Sequence, residues 1–418
     1  MAEAINNVNQ QNKEKDLKKL IMKVVLAFQH LIAMFGATVL VPMLTGLDVS
    51  VALFSAGVGT LIFHLCTKGK VPVFLGSSFA FIPVIVAVKE SYGDLRYAQG
   101  GIMIAGLIYV IVSFAIKKIG TDNIRAVLPA HVVGPMIMVI GLNLIPTAWG
   151  MANDNLIIAA ITLGVTLIIK FLGKGFVSQV AILCGVVVGY VLSYFTGYVD
   201  TSAISEASFI AIPNFTLPKF ELGAIMVIAP VVIATFMEHI GDITTNGQVV
   251  GENFIEDPGL NRTLLGDGLA TMVASFVGGP ANTTYGENTG VLAMTKNYDP
   301  SILRVTAVLA IFLSLIAKVG TAIRTIPQGV MGGISLMLFT MITLIGVKTV
   351  RFGKLKMNWK NIIVMASILI IGFGGPLIES KFGIVVGIKL NDAVSISGLS
   401  FAAIVGVTLN LILNGFKK

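Results

Sequence analysis

Charge is scarce in this chain. Asp, Glu, Lys and Arg make up 12% of its 418 residues against 55% apolar residues, and the mean hydropathy is +0.90. A surface that poor in charge excludes an ordinary water-soluble domain and implies that lipid covers much of the molecule. Cysteine is almost absent too. Cys66 and Cys184 both lie in apolar runs at no metal-ligand spacing and read as core residues. The four histidines, His30, His64, His131 and His239, form no ligand cluster, so no metal site is expected. His64 and His131 read as packing or interfacial residues near segment ends. No nucleophile and base pair or nucleotide-binding loop is recognisable, which leaves a membrane enzyme unsupported and no cofactor expected. The first 23 residues lack the short apolar core and small-residue cleavage site of a signal peptide and read as a cytoplasmic tail.

Long apolar runs dominate what remains. A membrane span needs about 20 mainly apolar residues, and fourteen such segments recur: 24–44, 49–66, 71–88, 98–116, 126–146, 155–172, 176–195, 222–243, 263–279, 281–296, 301–321, 327–347, 359–376 and 396–414. The expected fold class is therefore an all-α polytopic membrane protein in the cell (plasma) membrane. Placing both termini in the cytoplasm puts 22 of the 29 Lys and Arg residues inside, as the positive-inside bias requires. The net charge of +8 thus marks topology rather than a nucleic-acid partner.

The two halves of the chain echo each other. Lys117–Pro135 and Ala317–Gly333 share Gly-Thr, Ile-Arg, Pro and Gly; Gln29-His30 is matched by Glu238-His239; and Ser77-Ser78-Phe79-Ala80 is matched by Thr283-Thr284-Tyr285-Gly286. The separations are 209 residues for the histidines, 206 for Phe79 and Tyr285, and 198 for Pro129 and Pro327, nearly one repeat length. Seven segments per half is an odd number, so the second half enters the membrane in the opposite sense. The expectation is an inverted repeat of the secondary-transporter kind, with its site near the midplane where interrupted helices meet. The third and tenth segments carry Pro, Gly and hydroxyl residues where a continuous helix would want Leu or Ala. Short extended pieces are expected at 77–81 and 283–287, facing each other in a protein-lined cavity.

Three carboxylates stand in this apolar setting. Glu238 follows the run AIMVIAPVVIATFM, where a buried acid costs about 2.5 to 3.5 kcal/mol and calls for a function or a partner. Asp242 lies one helical turn on, on the same face. Two close carboxylates in low dielectric resist double ionisation, which makes the pair a candidate proton carrier. Glu287 and Asn288 open a half-helix whose free N–H groups would aim at the cavity. Carboxylates at Glu238 and Glu287, amides at Phe79, Gly286 and Glu287, and aromatic faces at Phe79 and Tyr285 suit a flat heterocycle bearing N–H and carbonyl groups. A channel would also place polar groups at the midplane, but broken helices around carboxylates fit alternating access to a bound solute better.

Glu287-Asn288-Thr289-Gly290, continuing to Thr295-Lys296, resembles the signature of the nucleobase–ascorbate transporter (nucleobase:cation symporter) family, as does Gln29-His30. The run GGPANTTYGENTGV, with Glu opening the signature, is similar to the family's bacterial uracil-carrying branch. The resemblance covers nearly the whole chain. It implies fourteen segments in two inverted repeats, with a core domain from 24–116 and 222–321 and a gate domain from 126–195 and 327–414. It implies uptake of uracil with a proton across the lipid bilayer, often by a homodimer. Carried over by position, Glu238 and Glu287 would bind the ring, Phe79 and Gly286 would donate from the backbone, Tyr285 would shape the pocket and Ala37 would line it. Gln29, His30 and His239 would support it, with His30 and His239 anchoring helices. The branch often reads Glu-His-x-Gly-His where this chain has Asp242. The expectation is that Asp242 handles the coupled proton, hydrogen-bonded to Ser78, with Glu287 and Asn288 alongside. The alternative is a xanthine or urate permease, or an anion transporter of similar fold.

Overall fold

The computed structural model describes residues 2–119, 129–353, 357–389 and 395–415. The first-half Gly-Thr and Ile-Arg of the longest echo, and the basic positions 125, 354, 356, 417 and 418, lie outside the described residues. Helices dominate: α1 Ala2–Thr45, α2 Val49–Cys66, α3 Ile82–Tyr92, α4 Leu95–Ile119, α5 Ala130–Ala152, α6 Leu156–Leu172 and α7 Ala181–Phe195. The second half supplies α8 Leu222–Val250, α9 Leu260–Phe276, α10 Gly286–Thr295, α11 Pro300–Ser314, α12 Gln328–Phe352, α13 Trp359–Phe382 and α14 Gly398–Asn414. Among the described residues seven helices are long and apolar enough to cross a membrane, and four more are apolar but shorter. The expected 301–321 segment stops early. Its helix ends at Ser314 and a separate helix, Ala317–Arg324, follows.

The third and tenth segments break as their composition requires, but the extended pieces start earlier than 77–81 and 283–287: residues 79–81 form a 3-10 turn and Gly286 and Glu287 are already helical. Strand β1, Leu75–Ser77, precedes a 3-10 turn and α3, and strand β2, Asn282–Thr284, leads into α10. The strands cross antiparallel, pairing Leu75 with Thr284, Gly76 with Thr283 and Ser77 with Asn282. Backbone bonds extend the crossing on both sides, from Ser78 N to Ala281 O at 2.9 Å and from Tyr285 N to Phe74 O at 3.0 Å. A polar group held this deep needs a partner, and neighbouring helices supply them in matching positions. Thr60 Oγ1 on α2 accepts from Leu75 N at 2.9 Å, and Thr271 Oγ1 on α9 accepts from Asn282 N at 3.2 Å.

Helix packing repeats itself in the same way. α2 lies on α11 and α4 on α9, α1 touches α11 and the start of α8 touches α4, and α2 meets α9. In a second group α5 lies along α12, α6 touches α12 as α13 touches α5, and α6–α7 matches α13–α14. Close crossings need small residues. At Gly106 of α4 an added Cβ would lie 2.9 Å from Gly268 O, and at Gly268 one would lie 2.9 Å from Gly106 O. Cys66 and Cys184 are half-buried rather than core. His64 and His131 are buried packing residues, with ring nitrogens 3.0 Å from Val73 O and 2.8 Å from Asn410 Oδ1.

Outside the helices, Asp48 caps α2 by accepting from Ser50 N and Val51 N and pairs with Arg324. In the 92–95 turn, hydrogen bonds from Arg96 hold the Asp94 carboxyl well below the usual carboxylate range. Lys219 adds a contact of 3.1 Å to the same carboxyl.

Candidate functional site

A cavity of about 380 Å³ opens where the strand crossing meets the second group of helices. Glu238 and Asp242 reach it from α8, and Thr283, Thr284, Tyr285, Gly286 and Glu287 from β2 and the start of α10. Phe79 comes from the turn before α3, and Met337, Met341, Ile342 and Ile345 of α12 form the apolar wall. A second cavity of about 340 Å³ shares Phe79, Glu238, Asp242, Ile342 and Ile345 and runs along α5 and α12 to Thr245 and Thr349.

Most of the residues that the sequence singles out line this cavity. Both expected ring-binding carboxylates and the aromatic pair line one cavity. Asp242 sits beside Glu238 because four residues make about one helical turn. Its hydrogen-bond partner differs from the expected one: Thr284 Oγ1 donates to Asp242 Oδ2 at 2.7 Å, and Ser78 Oγ is buried without a hydrogen bond. The register supplies the reason. Leu75 occupies the place that Asn282 holds in the second half, a separation of 207 positions, whereas equating Phe79 with Tyr285 needs 206. One residue of slip exchanges the faces of an extended chain. Ser78 therefore corresponds to Tyr285, and Phe79 to Gly286.

Tyr285 accordingly does more bracing than stacking. It is buried, its hydroxyl donates to Ser77 O at 3.0 Å, and its ring lies over Gly76, where an added Cβ would approach Cε2 to 2.3 Å. Ala37 lies behind the lining: it is buried in the apolar cluster with Met34, Phe74 and Tyr285 and is not among the cavity-lining residues. At Gly286 an added Cβ would meet nothing within 4 Å. Tyr285 caps α10 without a side-chain hydrogen bond, so its side chain occupies none of the N–H groups of the first turn.

Supporting residues lie one layer out. Asn288 Nδ2 donates to His30 O at 3.1 Å and lies 3.2 Å from His30 Nδ1, which ties α10 to α1. Gln29 is half-buried, and its Oε1 has no hydrogen bond. His239 points away from the cavity, with Nε2 3.0 Å from Thr263 Oγ1 and Nδ1 3.1 Å from Asp267 Oδ2 on α9. Asp267 was missed by reading the sequence, although an acid inside LNRTLLGDGLATMVASF gives the same signal as Glu238. Lys170 and Gln179 also line the cavity. Their signal was hidden, since a Lys at the end of an apolar segment reads as a topology charge. Among the described residues no group of His, Cys, Asp and Glu could hold a metal ion.

Broken helices crossing beside buried carboxylates, within a bundle whose outer faces are apolar, define an integral membrane transporter. A family model described as "Permease family" matches residues 22–381. The chain belongs to this family, the nucleobase–ascorbate transporters. It is 42% identical over 412 residues to the uracil permease of Bacillus caldolyticus, covering 94% of this chain and 92% of that one. It is 39% identical over 407 residues to the uracil permease of Escherichia coli K12, covering 94% and 91%. In fold it is similar to the murine Slc26a9 anion transporter in the inward-facing state, with a TM-score of 0.69 at 11% identity, covering 94% of this chain and 68% of that one. The chain is a permease rather than an enzyme.

Proposed function

We propose that this protein imports uracil together with a proton by alternating access. The observation that carries the reading is the grouping of Glu238, Asp242 and Glu287 in one cavity at the strand crossing. The names of the relatives supply the substrate. Uracil is flat and offers two ring N–H groups and two carbonyls. Glu238 and Glu287 accept from the ring N–H groups, first-turn amides at Gly286 and Glu287 and the amide of Phe79 donate to the carbonyls, and the Phe79 ring packs on the heterocycle. Asp242 carries the coupled proton, and Thr284 orients its carboxyl. Protonated Asp242 leaves less charge to move through the membrane, so the loaded carrier reorients at lower cost.

Matched helix contacts in the two halves support an inverted repeat of fourteen segments. The separate packing of α5–α7 with α12–α14 supports a gate domain moving against a core of α1–α4 and α8–α11. With the amino terminus in the cytoplasm, the last turns of α6 and α12, which supply Lys170 and Thr349 to the cavities, lie on the inner side. The cavity then faces the cytoplasm. Homodimer formation is part of the proposal.

Uptake of labelled uracil into proteoliposomes under an imposed pH gradient tests the reading. Uracil is expected to accumulate when the outside is acidic, with xanthine, urate and bicarbonate failing to compete. Asp242→Asn is expected to keep exchange between uracil-loaded sides and to lose accumulation. Accumulation by Asp242→Asn with normal pH dependence would move the proton site to Glu238 or Glu287.

A further inference from the structure

We infer that Lys170 is the counter-ion of the emptied carboxylate cluster, a positioning residue that α6 brings to the cavity and that promotes release of the coupled proton on this side. The inference rests on the proton-coupled reading above. Glu238, Asp242 and Glu287 all line the cavity, and among the described residues Lys170 is the single Lys or Arg that lines it with them. The imbalance matters once solute and proton have left, because several carboxylates then share a low-dielectric space. An opposite charge within about 4–6 Å favours the ionised acid, and a like charge opposes it.

The position of Lys170 is set by direct contact between the two helix groups. Ser178 Oγ donates to Lys170 O at 2.8 Å, closing the turn after α6. The next residue, Gln179, seats its amide on α10, where a Cβ at Gly290 would lie 2.7 Å from Oε1. Lys170 therefore reaches the mouth of the cavity beside the helix that carries Glu287. Its own helix packs on α7 and α12 and belongs to the other group.

Other charged groups nearby do not compete for the role. α8 presents the acids Glu238 and Asp242, α12 presents methionine, leucine and isoleucine, and Lys174 after α6 and Lys348 and Arg351 near the end of α12 are not among the lining residues. The turn at 176–179 carries Ser178 and Gln179, and the nearest histidine of α5, His131, is engaged with Asn410. His30 of α1 lies behind Asn288, and His239 faces Asp267 on the far side of α8. α7 contributes Ala181 and Ile182.

In the state with α6 against α10, a carboxylic acid in the cavity loses its O–H proton to water at the inner mouth. The carboxylate that remains is balanced by the Lys170 ammonium. When the core moves away from α6, that cation is withdrawn, and the acid takes up a proton from the other side. The same side chain thus biases release inward and uptake outward.

Wild type, Lys170→Met, Lys170→Gln and Lys170→Arg are compared in proteoliposomes, with outer pH fixed and inner pH varied. Initial net uptake and uracil exchange are both recorded, and exchange reports folded carrier. In Lys170→Met and Lys170→Gln the inner pH for half-maximal net uptake is expected to move about one unit to the alkaline side while exchange persists. Lys170→Arg should stay near wild type. An unshifted midpoint in both neutral variants overturns the role of Lys170. A wild type indifferent to inner pH overturns the proton-coupled reading itself, a distinguishable result.

Discussion

At the scale of single residues, the proposed site places acceptors where water is missing. Glu287 opens α10 with its carboxylate in the cavity, and the amide of Glu287→Gln would present a donor to a ring N–H that needs an acceptor. Uracil affinity should fall at least tenfold, consistent with about 1.5–3 kcal/mol for a hydrogen bond to a charged group. Isothermal titration in detergent measures it, and unchanged affinity would remove Glu287 from the site. The sequence made these acids legible because an acid within an apolar run is expensive. It did not reveal which hydroxyl faces Asp242. Thr284 and Ser78 are both hydroxyl residues of broken segments, and only the strand register decides between them.

Elements explain why glycines at the crossing are not interchangeable. Gly76 has the Tyr285 ring pressed against it, so Gly76→Ala must displace a side chain fixed by Ser77 O and should cost about 1–3 kcal/mol of stability. Gly286 faces open space. Gly286→Ala should leave the melting temperature nearly unchanged while its methyl enters the cavity and weakens uracil binding. Differential scanning fluorimetry with and without uracil separates the two, and equal loss of Tm in both variants would contradict the assigned geometry. Composition pointed to both broken segments, since Pro, Gly and hydroxyl residues suit extended pieces better than helix. The bond pattern that joins them was not visible, because pairing depends on residues more than 200 positions apart.

For the whole molecule, orientation is the property most open to a direct test. In a background with Cys66 and Cys184 replaced by Ala, Lys174→Cys should react with an impermeant maleimide only from the cytoplasmic side. Asn153→Cys, after α5, should react only from outside. The reverse pattern would overturn the inward-facing assignment and the role given to Lys170 on that side. Charge bias in the loops supports the orientation, because positive residues are retained on the cytoplasmic side during insertion.

By itself the sequence determined that the chain is membrane-embedded and helical, that its third and tenth segments are broken, that its halves echo each other, and that Glu238, Asp242 and Glu287 are acids set in apolar surroundings. Each of these follows from local cost: apolar runs need lipid, broken helices need a protein-lined cavity, and buried acids need a task. Only the tertiary structure decided that Tyr285 braces Gly76, that Thr284 serves Asp242, that Ala37 is buried behind Tyr285, that His239 meets Asp267, and that Lys170 lines the cavity. Those pairings join distant parts of the chain, and packing chooses them because a polar group out of water takes whatever partner the fold brings within reach.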